Sequence, residues 1–175
     1  FRRVLFRSMN YCVIPWTEVH INNDGTYKTC GTQLNDLTLS EFGKTHNVFN
    51  MTIQEWMSSQ YQESVRKSKL AHKYEPLCVG CYKEESVGAD SKRSRELLKY
   101  PILPAEYQRP TFTGDVRSYH ILLGNECNLA CRMCEPVYSS RVAAEQAQLG
   151  LWSGPIRSNW TDNDIAWNMV VDSML

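Results

Sequence analysis

With 175 residues, nineteen basic and nineteen acidic side chains and 42% apolar residues, the chain has the composition of a globular domain. The cancelled charge offers no basic surplus for nucleic acid and no acidic tail for a charged partner. No apolar run approaches the length that spans a bilayer, so a soluble, cytoplasmic protein with no nucleic-acid or membrane partner is expected.

The first eight residues, FRRVLFRS, are basic and apolar and precede Met9. They lack the long apolar core and small-residue cleavage site of a signal peptide, and residues 1–8 are expected to be a leader foreign to the fold. Residues 11–31 read as a β-hairpin. Val13, Trp16, Val19 and Ile21 precede the turn signal Asn23-Asp24-Gly25, and Tyr27 to Cys30 form the return strand, which brings Cys12 and Cys30 towards each other. Residues 31–50 are mixed and polar, as in a loop.

A helix is expected from Thr52 to near Tyr74. Thr52 and Glu55 have the spacing of a capping box, and Ile53, Trp56, Met57, Gln60, Tyr61, Ser64, Val65 and Ser68 follow one face. The loop at Pro76 then delivers Cys78-Val79-Gly80-Cys81, with Gly80 allowing a tight backbone turn. A further helix over residues 91–100 is closed by Pro101 and Pro104, and residues 101–117 read as a linker. Trp16, Trp56 and Tyr61 are expected in the core. Glu84, Glu85, Lys92, Arg93 and Arg95 are expected on a solvated helical face.

Residues 118–123 form an apolar, unalternating run, expected to be a strand covered on both faces of a parallel sheet. His120 on that strand is expected to point into its packing rather than to serve as a ligand. A helix should start after Pro136 and end at Gly150, and Thr161 with Asp164 should begin another that runs towards Leu175.

The seven cysteines are an odd number and cannot all pair as disulfides within one chain. Cys127, Cys131 and Cys134 stand in a C-x3-C-x2-C loop after the 118–123 strand, and Cys12, Cys30, Cys78 and Cys81 lie upstream. Four thiolates close a tetrahedral zinc site or fully ligate a cluster, whereas three leave one iron of a cubane open. Asn125 and Asn128 flank the first loop cysteine and can cap the loop through side chain to backbone bonds. A three-plus-four division suits a reducing compartment with metal-bound thiolates.

The run LGNECNLACRMCEP resembles the cluster-binding loop of the radical S-adenosylmethionine (radical SAM) enzymes. The stretches CVIPWTEVHINNDGTYKTCG and CVGCYKEESVGADSKRS resemble the twitch- or SPASM-like auxiliary cysteine module of some members, so the likeness covers nearly all of residues 11–145. It implies that Cys127, Cys131 and Cys134 hold three irons of a 4Fe–4S cluster. The open iron would bind S-adenosylmethionine, whose reductive cleavage gives a 5′-deoxyadenosyl radical that abstracts hydrogen from a substrate. Met133 stands where the family usually has an aromatic residue. It is placed with the cofactor-binding residues because methionine keeps a polarizable apolar surface.

The same likeness implies that Cys12, Cys30, Cys78 and Cys81 ligate an auxiliary 4Fe–4S cluster, with a zinc site as the open alternative, and that Glu85, Gly88 and Arg93 support the module. It implies a reductant such as a flavodoxin or ferredoxin, and an unknown substrate of peptide or small-metabolite class. The implied fold is α/β with a mixed α+β N-terminal module. Residues 9–100 form the auxiliary module, and residues 118–175 the first βα unit of a truncated, partial (β/α)6 barrel. No GGEP-like segment is present, and on this reading the polypeptide is a fragment with little turnover of its own. The runner-up is a non-catalytic iron–sulfur or zinc-binding module, and a third reading is a small zinc-stabilised interaction protein.

Overall fold

The computed structural model describes residues 10–33, 46–100, 102–127, 129 and 131–175. The expected leader over residues 1–8, Met9, the breaker Pro101, Asn128 and residues 34–45 of the expected loop lie outside the described residues. Within them the fold is mixed α and β, with a three-stranded sheet of order β2-β1-β3 and seven α-helices. The strands are β1 (Glu18–Ile21), β2 (Tyr27–Lys28) and β3 (Ser118–Ile121). The helices are α1 (Ile14–Thr17), α2 (Ile53–Met57), α3 (Gln60–Leu70), α4 (Val79–Ser86), α5 (Lys92–Leu98), α6 (Ser140–Gln148) and α7 (Asp164–Asp172). No helix among the described residues is long and apolar enough to cross a membrane.

The Asn23-Asp24-Gly25 turn forms as expected. Gly25 has φ +81°, a left-handed value that glycine reaches without strain. The strands on either side are shorter than expected. Pro15 fixes the first turn of α1, which occupies the start of the expected first strand, and β2 ends at Lys28, two residues before Cys30. The amides of Arg117 and Leu122, flanking β3, donate to the carbonyls of Thr17 and Ile21 at 2.9 Å each. Both bonds advance in the same direction, so β1 and β3 run parallel. The expectation of a strand covered on both faces is corrected: Ser118, Tyr119 and His120 are exposed, whereas all four residues of β1 are buried.

The chain divides into two compact units. The first comprises the described residues of Phe1–His20, Lys28–Thr45 and Gln54–His120. Its core gathers Tyr11, Val13, Trp16, Leu97 and Tyr107, with Leu70, Tyr100 and Leu103 packed against them. The Tyr11 and Trp16 rings stack at 5.6 Å. Tyr11 donates its hydroxyl to the Tyr107 carbonyl at 2.6 Å, and Trp16 its indole N–H to Arg109 at 2.7 Å. Residues 102–117 thereby carry a buried aromatic into this core.

The single helix expected over 52–74 is instead two. Ser59 takes an extended conformation and its hydroxyl accepts from the Gln62 amide, so it caps α3 and ends α2. Arg66 of α3 is wholly buried and donates to three carbonyls, those of Pro15 (3.0 Å), Met57 (2.6 Å) and Pro110 (2.5 Å). The Met57 carbonyl is one that the end of α2 leaves without an intrahelical partner.

A second correction concerns Glu85 and Arg93, expected on a solvated face. Arg93 is 3% exposed, forms an ion pair with Glu85 and donates to the Tyr11 carbonyl at 3.2 Å, while Ser91 donates to Glu85 at 2.5 Å. Lys92 likewise pairs with the buried Glu18. The face is solvated only in part because α5 starts with these side chains turned inwards.

The second unit comprises Ile21–Tyr27, the described residues of His46–Ile53, and those of Ile121–Leu175. Helix α6 starts with Ser139 accepting from the Val142 amide and is followed by Gly150 at φ +70°, as the sequence leads one to expect. Helix α7 begins three residues later than Thr161, because Thr161 lies in a 3-10 turn and Asn163 caps the helix by accepting from the Ala166 amide. Trp160 is buried and donates to the Leu122 carbonyl at 2.8 Å.

Candidate metal centres

All seven cysteines are free thiols, and the four upstream ones are 4–7% exposed. Cys12 precedes α1 and Cys30 follows β2, and together with Ile14 they form one buried apolar cluster. Cys78 and Cys81 arrive differently from the expected loop. Pro76–Cys78 is a 3-10 turn that runs directly into α4, so Cys78 stands immediately before the helix and Cys81 in its first turn. Gly80 is helical, and a Cβ there would meet only the Thr32 carbonyl oxygen at 3.8 Å, so no tight turn requires glycine.

The four thiols share partners. The Thr32 hydroxyl lies 3.3 Å from the Cys30 sulfur and 3.8 Å from that of Cys81, and the wholly buried Lys69 donates through Nζ to the Cys78 sulfur at 3.0 Å. Lys69 also reaches the Tyr82 hydroxyl at 3.4 Å. Burial pushes the Cys12 thiol well above its ordinary value, and the neighbouring Cys78 and Cys30 add to the rise. Burial also raises Cys78, against the opposing pull of the Lys69 ammonium. Buried thiols in this state hold their protons, and a metal must displace them.

With Zn–S bonds of ≈ 2.3 Å, tetrahedral zinc brings its four sulfurs within about 3.8 Å of one another. Among the described residues no three cysteine sulfurs lie within 4.8 Å of one another. Four thiolates suffice either to close a tetrahedral zinc site or to ligate a cubane fully.

Cys127, Cys131 and Cys134 follow β3 in an irregular loop before Pro136–Tyr138 and α6, the strand, loop and helix order expected. Cys131 is exposed and the other two half-buried, and a turn joins the Cys134 amide to the Cys131 carbonyl at 3.0 Å. Met133 is 93% exposed. The loop is fixed at its base by Asn125, 2% exposed. Asn125 donates through Nδ2 to the Ile156 carbonyl at 3.0 Å, and its Oδ1 accepts from the Ser158 amide at 2.9 Å. Its own amide donates to Asn159 Oδ1 at 3.1 Å. Asn125 thus bonds side chain to backbone, as expected, but towards residues 156–158 rather than within the loop.

No family model matches the chain, no curated protein matches it, and no solved structure matches its fold.

A third constellation was missed by reading the sequence. Glu18, His20 and His120 each bring a ligand atom within 4.8 Å of the other two. His120 does not point into the packing of its strand as expected; it is exposed and meets His20 edge to face, ring centroids 4.4 Å apart. The available signal was the Glu-x-His spacing on a strand, which puts both side chains on one face. A cleft of about 620 Å³ along α3, lined by Tyr61, Ser64, Val65 and Leu77 among others, includes no cysteine and no residue of this triad.

Proposed function

We propose that the chain is a metallocofactor protein of radical SAM type. Cys12, Cys30, Cys78 and Cys81 hold an auxiliary 4Fe–4S cluster, and Cys127, Cys131 and Cys134 hold three irons of a second cluster with an open iron. The observation that carries this reading is the convergence of four buried free thiols from three separate stretches of chain, beside a buried lysine. Loaded in this way, the second cluster supplies reductive cleavage of S-adenosylmethionine, and the auxiliary cluster supplies one-electron transfer. The protein's own residues do the rest. Lys69 offsets negative charge at Cys78, the start of α4 presents its positive dipole end beside Cys78 and Cys81, and Asn125 holds the exit of β3 in register with the three-cysteine loop. On the same reading, residues 118–175 form the start of the barrel.

The test is iron, acid-labile sulfide and zinc analysis on anaerobically purified protein, followed by electron paramagnetic resonance of the reduced protein with and without S-adenosylmethionine. Two clusters per chain and a signal altered by S-adenosylmethionine are expected. One equivalent of zinc with iron for a single cluster would replace the auxiliary cluster by a zinc site. A signal indifferent to S-adenosylmethionine would leave the second reading, a non-catalytic iron–sulfur module built on the four upstream cysteines, which the exposure of Cys131 and Met133 favours.

A further inference from the structure

Glu18 and His20 stand two residues apart on β1 and so share a face, and His120 stands on β3, the neighbour of β1 in the sheet. The imidazoles cross at 74°, and both rings turn Nδ1 towards the bare side of Gly31. A Cβ on Gly31 would come within 3.1 Å of the His120 Nδ1 and 3.2 Å of the His20 Nδ1, so glycine leaves open the space these two nitrogens border. Glu18 is 6% and His20 4% exposed, whereas His120 opens to solvent. One Glu18 oxygen is engaged by Lys92, and a carboxylate carries a second oxygen with its own lone pairs.

Two imidazoles and one carboxylate form the ligand set of zinc sites that keep a fourth position for water, and of mononuclear non-haem iron sites. We propose that Glu18, His20 and His120 bind a first-row divalent cation of the zinc type, with its open coordination position on the solvent side at His120. The site contains no sulfur and uses none of the cysteines, so it stands independently of the cluster reading. Lys92 competes with the cation, because an incoming ion meets the ammonium already paired with Glu18.

Cobalt(II) separates this site from the cysteines, because thiolate ligation gives an intense sulfur-to-metal charge-transfer band that nitrogen and oxygen ligands lack. The full chain, purified with its cysteine-bound metal in place and cleared of loose ions by a weak chelator, is titrated with cobalt(II) and with zinc(II). One equivalent should bind with d–d bands and no added charge transfer. His120→Ala removes a ligand at an exposed position, and circular dichroism checks that the fold is kept. The affinity should fall more than the ~10–100-fold that losing an outer supporting partner costs, while cysteine-bound metal stays unchanged. Gly31→Ala, which crowds both rings and removes no ligand, should weaken binding about tenfold. Lys92→Met should strengthen it. Absence of a sulfur-free equivalent in the parent protein, or unchanged binding in His120→Ala, would overturn the proposal.

Discussion

Replacing Arg66 by methionine keeps most of the side-chain volume and removes the guanidinium that ties the Pro15, Met57 and Pro110 carbonyls together. Hydrogen bonds to a charged group contribute about 1.5–3 kcal/mol each, so losing three costs roughly 4–9 kcal/mol before compensation. Two effects reduce that figure. Burial lowers the Arg66 pKa from 12.5 to about 10, which corresponds to about 3 kcal/mol of desolvation that methionine does not incur. The bond to the Pro110 carbonyl is also only part-buried, so losing it costs less than losing a fully buried one. A net loss of about 3 kcal/mol remains, a large share of the ~5–15 kcal/mol of a typical domain. Urea unfolding followed by tryptophan fluorescence measures it, because Trp16 and Trp56 lie in the same unit. Arg66→Lys should lose nearly as much despite keeping its charge, since a single ammonium cannot span three carbonyls. A change within about 0.5 kcal/mol for Arg66→Met would refute the clamp.

Glu85→Gln leaves the Arg93 guanidinium buried without its counter-charge and should cost about 3 kcal/mol in the same unfolding assay. Gly124→Ala places a Cβ 2.1 Å from Asn159 Oδ1, the atom that accepts from the Asn125 amide, and should destabilise the second unit by about 1–3 kcal/mol. Hydrogen exchange should show faster opening at residues 125 and 158 in that variant. Because burial raises Cys12 and Cys78 above the usual thiol value of 9.0, the folded metal-free protein binds these protons more tightly than the unfolded chain does. Its stability should therefore be full below pH 9.0 and fall as the pH rises beyond it. Metal loading should abolish that decline and release protons, both measurable by thermal melts and by titration in weak buffer.

Turns and caps were the most legible parts of the fold, because their chemistry is local. Asn23-Asp24-Gly25 and Gly150 each announce a backbone conformation that few other residues adopt. The break between α2 and α3 was signalled just as locally by Ser58-Ser59, but the apolar face continues across it through Trp56, Met57 and Tyr61, and periodicity overrode the cap. Burial was harder to read. The run from Tyr119 to Leu123 looks like a covered strand, yet which face of a strand is covered depends on elements far away in sequence. The upstream cysteines could be grouped by number alone, since cysteine has few other uses in such spacing. The Glu18, His20 and His120 triad could not, because it exists only once residues a hundred positions apart pair as strands.

The division of the chain into two units has a consequence for how it is made. Each unit is assembled from three separated stretches, and residues 21–27 and 46–53 belong with residues 121–175. Contacts so distant in sequence are slow to form, because a long loop must close before they stabilise anything. During synthesis from the N-terminus, Ile21 and Val48, both wholly buried in the finished fold, leave the ribosome long before the residues of their unit that follow position 120. Apolar side chains of these early stretches thus wait for residues about a hundred positions downstream before they are covered, and over that interval the nascent chain gains most from a chaperone.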